Sequence, residues 1–472
     1  MERSILSLVV LLALAGCAVG PNYRPPQPVT PDEWHARPAA AAPANEPAAL
    51  ADWWKTLEDP ILDQLIDKAL TYNKTAKQAY ASVAEARARR GISAADFYPT
   101  LNASAGGSRT KSEARVGDPD VGLSGGTDKI YDAGLDSLWE LDLFGGKRRA
   151  FEAATAQLGA SEAELRDVLV TLLGDVALSY LDVRTAQSRL TFAEKNLEAQ
   201  RGTLDITHWR AAAGLATALD EEQAQSTYQQ TRAAIPVLQS SLVQAMNRLS
   251  VLTGDPPGSL EATLAERKPI PVAPLEIAAG VPADVLRRRP DIRTAERRLA
   301  AQTAEVGVAT AALYPSLSLS GSITLQALTA SDVPDGFRTD RLGLSLNLPI
   351  FRGGALRQNL HAQNALLDQA LAAYEAAVLA AYEEVENALT ASTNEHLRRD
   401  ALQLGVESAR RASELALTQY NSGLVDFQTV LNADRQLITL EDSLAVSDGE
   451  VTANLVRLYK ALGGGWSVFP KE

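Results

Sequence analysis

The chain has 472 residues, a net charge of -13 and 22% charged residues, a negative surplus that excludes nucleic acid as a partner. Its single cysteine excludes an intrachain disulfide, and its four histidines, His35, His208, His361 and His396, are too scattered for metal-ligand spacing. The length alone allows two or three globular domains; aromatics are only 6%, and plentiful Ala, Leu, Gln and Glu suit extended helices with soluble outer faces.

The chain opens with Arg3, an apolar core from Ile5 to Leu14, and then Leu14-Ala15-Gly16-Cys17. This is the pattern of an export signal over residues 1–16 ending in a lipoprotein cleavage box, with the Cys17 thiol taking the lipid. An ordinary signal peptide that contains a cysteine is the bland alternative. The sole cysteine stands at the required position, however, and residues 17–50 follow as a Pro-rich tether. Ala18 rather than Asp follows the cysteine, which resembles the bacterial sorting signal for the outer membrane. No later segment reaches the roughly 18 uninterrupted apolar residues of a membrane helix.

Structure is predicted to begin near Asp52-Trp53-Trp54. Leu62, Leu65, Ile66, Ala69 and Leu70 predict a short amphipathic helix, and an alanine-rich helix runs from about Lys74 to Ala95. The period then changes to two. Around Leu101–Ser104 and from Asp132 to Leu143, Leu135, Trp139, Leu141 and Leu143 alternate with Asp132, Asp136, Glu140 and Asp142. The intervening Lys111–Lys129, rich in Gly, Asp and Ser, predicts a solvated loop. Between Gly146 and Leu252 a helical stripe (Leu165, Val168, Leu169, Leu172, Leu173, Val176, Ala177, Tyr180, Leu181) leads to a reversal at Gly214. Residues 254–282, with Pro256, Pro257, Pro269, Pro271, Pro274 and Pro282, show no clear period and predict a linker lying against the rods. The basic triplet Arg287-Arg288-Arg289 predicts a solvated face, with Pro290 in the first turn of a helix to Leu313 and Asp291 at its positive end.

The second half repeats this plan. Leu317, Leu319, Ile323 and Leu325 alternate with serines and Thr324; after a loop at Ala330–Asp340, Leu342, Leu344, Leu346 and Leu348 alternate with Gly343, Ser345 and Asn347. From Ala355 to Leu462 no proline interrupts the chain, and a stripe from Leu367 through Ala370, Leu371, Tyr374, Ala377, Val378, Ala381, Tyr382 and Val385 to Leu389 precedes a reversal at Gly423. The roughly 65 residues before that reversal make a rod of about 100 Å, which calls for coiled-coil-like packing against equally long partners. Ala213-Gly214-Leu215 matches Ser422-Gly423-Leu424, Tyr98-Pro99 matches Tyr314-Pro315, and Phe144-Gly145-Gly146 matches Phe351-Arg352-Gly353-Gly354. The expected organisation is an internal duplication, residues 51–260 and 261–472, with hairpins at about 97–143 and 314–351. Alternation alone also fits a soluble sandwich. In an exported, lipid-anchored chain built on rods, strands of about 10 residues with one polar face fit a transmembrane barrel around water. Four strands cannot close one, so the chain must oligomerise, and a trimer would supply twelve.

These residues resemble TolC-like outer-membrane channel proteins of tripartite efflux pumps, in their lipoprotein form. The specific pieces are Cys17-Ala18-Val19-Gly20-Pro21-Asn22-Tyr23, Arg289-Pro290-Asp291-Ile292-Arg293 through Ala295-Glu296, Tyr314-Pro315, and the doubled Gly-Leu reversals. The resemblance implies a mainly α chain with transmembrane β. Its homotrimer would join a twelve-stranded barrel in the outer membrane to a long helical barrel crossing the periplasm. It implies no enzyme activity and no cofactor beyond covalent lipid on Cys17. The implied partners are a periplasmic adaptor and an inner-membrane transporter of the RND or ABC type, and the implied task is passive export of drugs or other small molecules. It places Gly214, Leu215, Gly423 and Leu424 at adaptor-docking tips, although glycine there also serves simply as a helix cap. It makes Asp220 a linking aspartate of the closed mouth, Tyr420 its partnering tyrosine and Arg435 a constriction arginine. Two positions depart from the pattern: Asn432 stands where a ring aspartate is common, and Val425 where some members have a linking arginine. Asp434, Asp426 or the run Asp220-Glu221-Glu222 could keep the mouth acidic. Rival readings are the exit duct of a type I protein secretion system, a lipid-anchored coiled-coil stalk without a pore, and an enzyme. The last rests on Ser108-Arg109-Thr110-Lys111, which lacks the companion phrases of penicillin-recognising enzymes and lies in the expected hairpin loop.

Overall fold

A computed structural model describes residues 18–27, 34–36, 51–112, 126–272 and 289–465. The export signal, Cys17, most of the tether, Arg287 and Arg288 lie outside them. The described chain divides into two compact units, each drawing on both halves of the sequence. One holds residues 18–26, 83–112, 126–161 and 295–374; the other holds 27, 34–36, 51–82, 162–272, 289–294 and 375–465.

The first unit is organised on a four-stranded sheet, β1 (Thr100–Ser112), β2 (Gly126–Leu141), β3 (Ser316–Ala327) and β4 (Phe337–Asn347), antiparallel throughout and ordered β1-β2-β3-β4. The two hairpins are thus joined through β2 and β3. The strands are longer than the alternation predicts. β1 runs to Ser112 and β2 starts at Gly126, so strand takes both ends of the loop expected at Lys111–Lys129, and residues 113–125 lie outside the described residues. Ser108–Lys111 is paired strand, not loop. The glycines that blurred the pattern have a packing reason: a Cβ on Gly107 would stand 3.1 Å from the Tyr131 ring across the ladder. Likewise Ala330–Asp335 is a 3-10 turn and β4 already begins at Phe337, paired with Gln326.

In the second unit a 3-10 turn (Trp53–Leu57) leads into α1 (Pro60–Tyr72), started by Pro60 and by the Asp59 carboxylate, which accepts from the Ile61 amide at 2.9 Å. The α1 residues Leu62, Leu65, Ile66 and Ala69 recur at helical spacing and are buried. The helix α2 (Lys74–Ala95) follows, and then, past the first hairpin, α3 (Gly146–Ala212) and α4 (Ala218–Leu252). After the linker come α6 (Pro290–Ala311), α7 (Ala355–Asn421) and α8 (Phe427–Ala461), the short turn Glu261–Leu264 being α5. Both α3 and α7 have 67 residues, and both α4 and α8 have 35. The core joins Trp53, Trp54 and the α1 stripe to Leu169, Leu173, Val176 and Tyr180 of α3 and to Leu455, Val456 and Leu458 of α8. Trp53 stacks on Tyr459 at 5.4 Å. The α7 stripe is buried at Tyr374, Val378, Ala381, Val385 and Leu389, but Leu371 stays exposed.

Three expectations are refined here. The linker is not featureless: Leu260 and Leu264 of its α5 turn enter the core, and the fully buried Arg184 donates to the Glu266 carbonyl at 2.9 Å and to Gln187 at 2.8 Å. Arg289 is not solvated; it is buried and donates to Asp291, to Glu384 at 2.7 Å and to the Ala461 carbonyl at 2.7 Å. The Pro-rich tether is pinned at residues 35–36, where the His35 and Ala36 amides donate to the Glu386 carboxylate at 2.7 and 2.9 Å. Among the described residues no helix is long and apolar enough to cross a membrane.

Candidate functional site

The helix reversals are built identically. Gly214 (φ 70°) and Gly423 (φ 76°) sit in the left-handed region. Leu215 N–H donates to the Arg210 carbonyl at 2.8 Å and Gly214 N–H to Ala211 at 3.0 Å; Leu424 and Gly423 repeat this with Gln419 and Tyr420, both at 2.9 Å. Each is a Schellman end, which satisfies the last carbonyls and turns the chain sharply. The next helix starts on a side-chain cap. Thr217 and Asp220 form a reciprocal capping box, and Asp426 accepts from the Thr429 amide at 3.0 Å. The leucines therefore stand at the apices, Leu215 69% and Leu424 76% exposed.

Behind the apices Tyr420, Phe427, Val430, Leu431, Ala224 and Ala416 form a small separate core. Tyr420 is 4% exposed, and its hydroxyl has no hydrogen-bond partner among the described residues. The structure does not join Tyr420 to Asp220 within one subunit. Asp220 uses Oδ2 for both capping bonds to Thr217, at 2.9 and 2.8 Å. The sequence reading missed Arg210, whose guanidinium lies 4.6 Å from the Tyr420 ring centroid and donates to the Asn421 carbonyl at 3.1 Å. It also missed the staple between His208 of α3 and Glu221 of α4, 2.7 Å apart. An arginine one turn before a C-terminal glycine is the signal that could have found the first.

Asn432 and Arg435 are both exposed, and Asn432 accepts from Gln428 at 3.1 Å. Most acidic candidates for the mouth are committed locally. Asp434 is partly buried and accepts from Ser413 at 2.6 Å; burial raises its carboxyl above the usual range, against a smaller lowering by that bond. The Thr429 side chain and amide hold the Asp426 carboxyl low. Among the described residues no acidic and histidine cluster could hold a metal.

In the sheet the register sorts side chains into two faces. On one lie Leu101, Leu135, Trp139, Leu319, Ile323, Leu344 and Leu346; on the other lie Asn102, Asp132, Asp136, Glu140, Ser318, Ser320, Ser322 and Ser345. Of the apolar set Leu101, Leu135, Ile323, Leu344 and Leu346 are exposed, and exposed apolar residues gathered on one face of a sheet mark a lipid or partner contact.

The N-terminal segment docks on the same unit. Val19 N–H donates to the Phe144 carbonyl at 3.1 Å, just past the end of β2. The nearly buried Arg149 donates to the Val19 carbonyl at 3.2 Å, to Asn22 at 2.7 Å and to Glu152 at 2.7 Å. Tyr23 donates to Glu296 at 3.1 Å.

The sequence profile of the outer membrane efflux protein family matches residues 65–255 and 281–464. The chain belongs to this family. It is 34% identical to the pyoverdine export outer membrane protein OpmQ of Pseudomonas aeruginosa over 99% of this chain and 98% of that protein. It is also 34% identical to outer membrane protein OprJ of the same organism, over 98% and 96%. Among solved structures, the outer-membrane channel OprN superposes with a TM-score of 0.86 at 35% identity, covering 95% of this chain and all of that one. As an outer membrane efflux protein the chain is mainly α with a transmembrane β-sheet, acts in the outer membrane as an exit duct, and is not an enzyme.

Proposed function

We propose that three copies of this outer membrane efflux protein close one duct, and that it carries drugs or other small molecules delivered by a periplasmic adaptor and an inner-membrane transporter of the RND or ABC type. The observation that carries the trimer is the open sheet. β1 and β4 are edges within one chain, and each unsatisfied backbone group in hydrocarbon costs several kcal/mol, so β4 must pair with β1 of a neighbour until the ring closes. Three copies give twelve strands. The serine- and aspartate-bearing face then lines the water. Cysteines scanned along β1 and β4 should yield intersubunit cross-links and heat-sensitive trimers on gels, and the purified trimer should pass single-channel current. A monomer without current would overturn the reading.

Leu215 and Leu424, exposed at the apices, are the adaptor contacts of this scheme, presented by Gly214 and Gly423. Asp220, Tyr420, Asn432 and Arg435 form the periplasmic gate. The support is that the Tyr420 hydroxyl finds no acceptor among the described residues of its own chain, while capping engages Oδ2 of Asp220 and leaves its Oδ1. With Asn432 at the ring position, any negative ring must come from another residue. A covalent lipid on Cys17 completes the anchor. Cys17 itself lies outside the described residues, but Ala18 lies against Gly145 at the end of β2, where an acyl chain would enter the apolar band. Mass spectrometry of the N-terminal peptide tests this: acyl mass is expected, and its absence would refute the anchor.

A further inference from the structure

The lipid-facing side of the sheet ends outward in a cationic rung. From Leu141 to Tyr131, β2 advances about 33 Å along the strand, or about 25 Å along the membrane normal at the usual tilt, which is the height of a barrel's apolar band. The next position on that face places Arg109 of β1 directly opposite Lys129 of β2, both exposed, with Lys111 one rung further out opposite Thr127. Like charges in direct cross-strand register repel. On the same face Arg338 is matched by Asp340 at 2.9 Å, whereas β3 begins its pairing with β2 only at Tyr131 and offers Lys129 no acidic neighbour in the ladder.

We propose that Arg109 and Lys129 together bind a phosphate of a phosphate-bearing glycolipid in the outer leaflet, that is, of lipopolysaccharide. The band height sets them at the level of the outer headgroups, on the hairpin end away from the helices. A phosphate monoester carries roughly -1.5 to -2 charges and three acceptor oxygens, enough to bridge both cations. The guanidinium supplies a two-pronged donor and the ammonium a point charge. The whole chain carries -13, so an anionic lipid is drawn to this rung against the general field. A phosphodiester headgroup, with one charge, matches the pair less well.

The test uses the purified trimer in detergent, titrated with lipopolysaccharide, with its dephosphorylated form and with phosphatidylglycerol, and read by native mass spectrometry and thermal shift. Lipopolysaccharide should bind saturably and at least about ten-fold tighter than either other lipid. The double variant Arg109→Gln/Lys129→Gln should lose that advantage, while Arg338→Gln keeps it. Each single variant, free of lipid, should melt at or above the parent, because the repulsion is relieved. The proposal is overturned if the double variant binds like the parent, if Arg338→Gln loses as much, or if either other lipid binds equally well.

Discussion

Replacing Gly145 and Gly214 by alanine separates backbone strain from docking. Both glycines sit at positive φ, 79° and 70°, so each alanine meets the left-handed penalty of about 1–2 kcal/mol, partly offset by a stiffer unfolded chain. At Gly214 the new methyl points into open space. At Gly145 it would stand 2.6 Å from the Ala18 Cα, so the N-terminal segment must leave. Its departure breaks the Val19 to Phe144 bond and takes three acceptors, Val19, Asn22 and the more distant Gly20 carbonyl, from the largely buried Arg149. A neutral hydrogen bond contributes roughly 1 kcal/mol and one to a charge roughly 1.5–3, so losing the Val19 amide bond and the two shorter Arg149 bonds takes about 4–7 kcal/mol of local stability from the docked segment. Hydrogen exchange at the Val19 amide reads this directly. Gly145→Ala should accelerate its exchange by about a hundred-fold or more, and Gly214→Ala should leave that amide unchanged. Equal protection in the two variants would refute the docking argument.

Arg184→Ala should cost about 3–5 kcal/mol in denaturant unfolding, since it empties a fully buried site and strands the Glu266 carbonyl; a loss under 1 kcal/mol would show the site to be wet. Asp434→Asn keeps an acceptor for Ser413 but removes a carboxyl whose pKa is raised by burial. The parent therefore loses stability as pH rises from the unfolded value of 3.8 through the raised folded value, and the variant does not. The variant's advantage should grow over that window and then level off, as followed by urea unfolding at a series of pH values. Asp220→Arg with Tyr420→Phe should raise single-channel conductance, and unchanged current removes both from the gate. Tyr420→Phe in a dissociated subunit should not be destabilising, because its hydroxyl makes no bond to any described residue of that subunit.

The rods were legible because their signal is local and repeated. Helical stripes and the glycine reversals at Gly214 and Gly423 are set within a few residues of chain, and the structure keeps them in two helices of 67 residues. The strand ends were not, since Ser108–Ser112 and Phe337–Asp340 are loop-like in composition and become strand through partners in the ladder. The same holds for charge. A basic triplet reads as a solvated face, yet Arg289 is enclosed by Asp291, Glu384 and Ala461, which lie up to 172 residues away.

The sequence by itself determined the export pattern at Cys17, the helix lengths and the two-faced strands, all properties of spacing along one chain. Only the tertiary structure decided which charged groups are already matched. It gives Asp220 to a helix start, seats Arg149 on the N-terminal segment, and sets Arg109 against Lys129. The reason is that hydrogen bonds and ion pairs form between groups that approach within about 3 Å, and in a fold of long helices and paired strands that approach joins residues far apart in sequence.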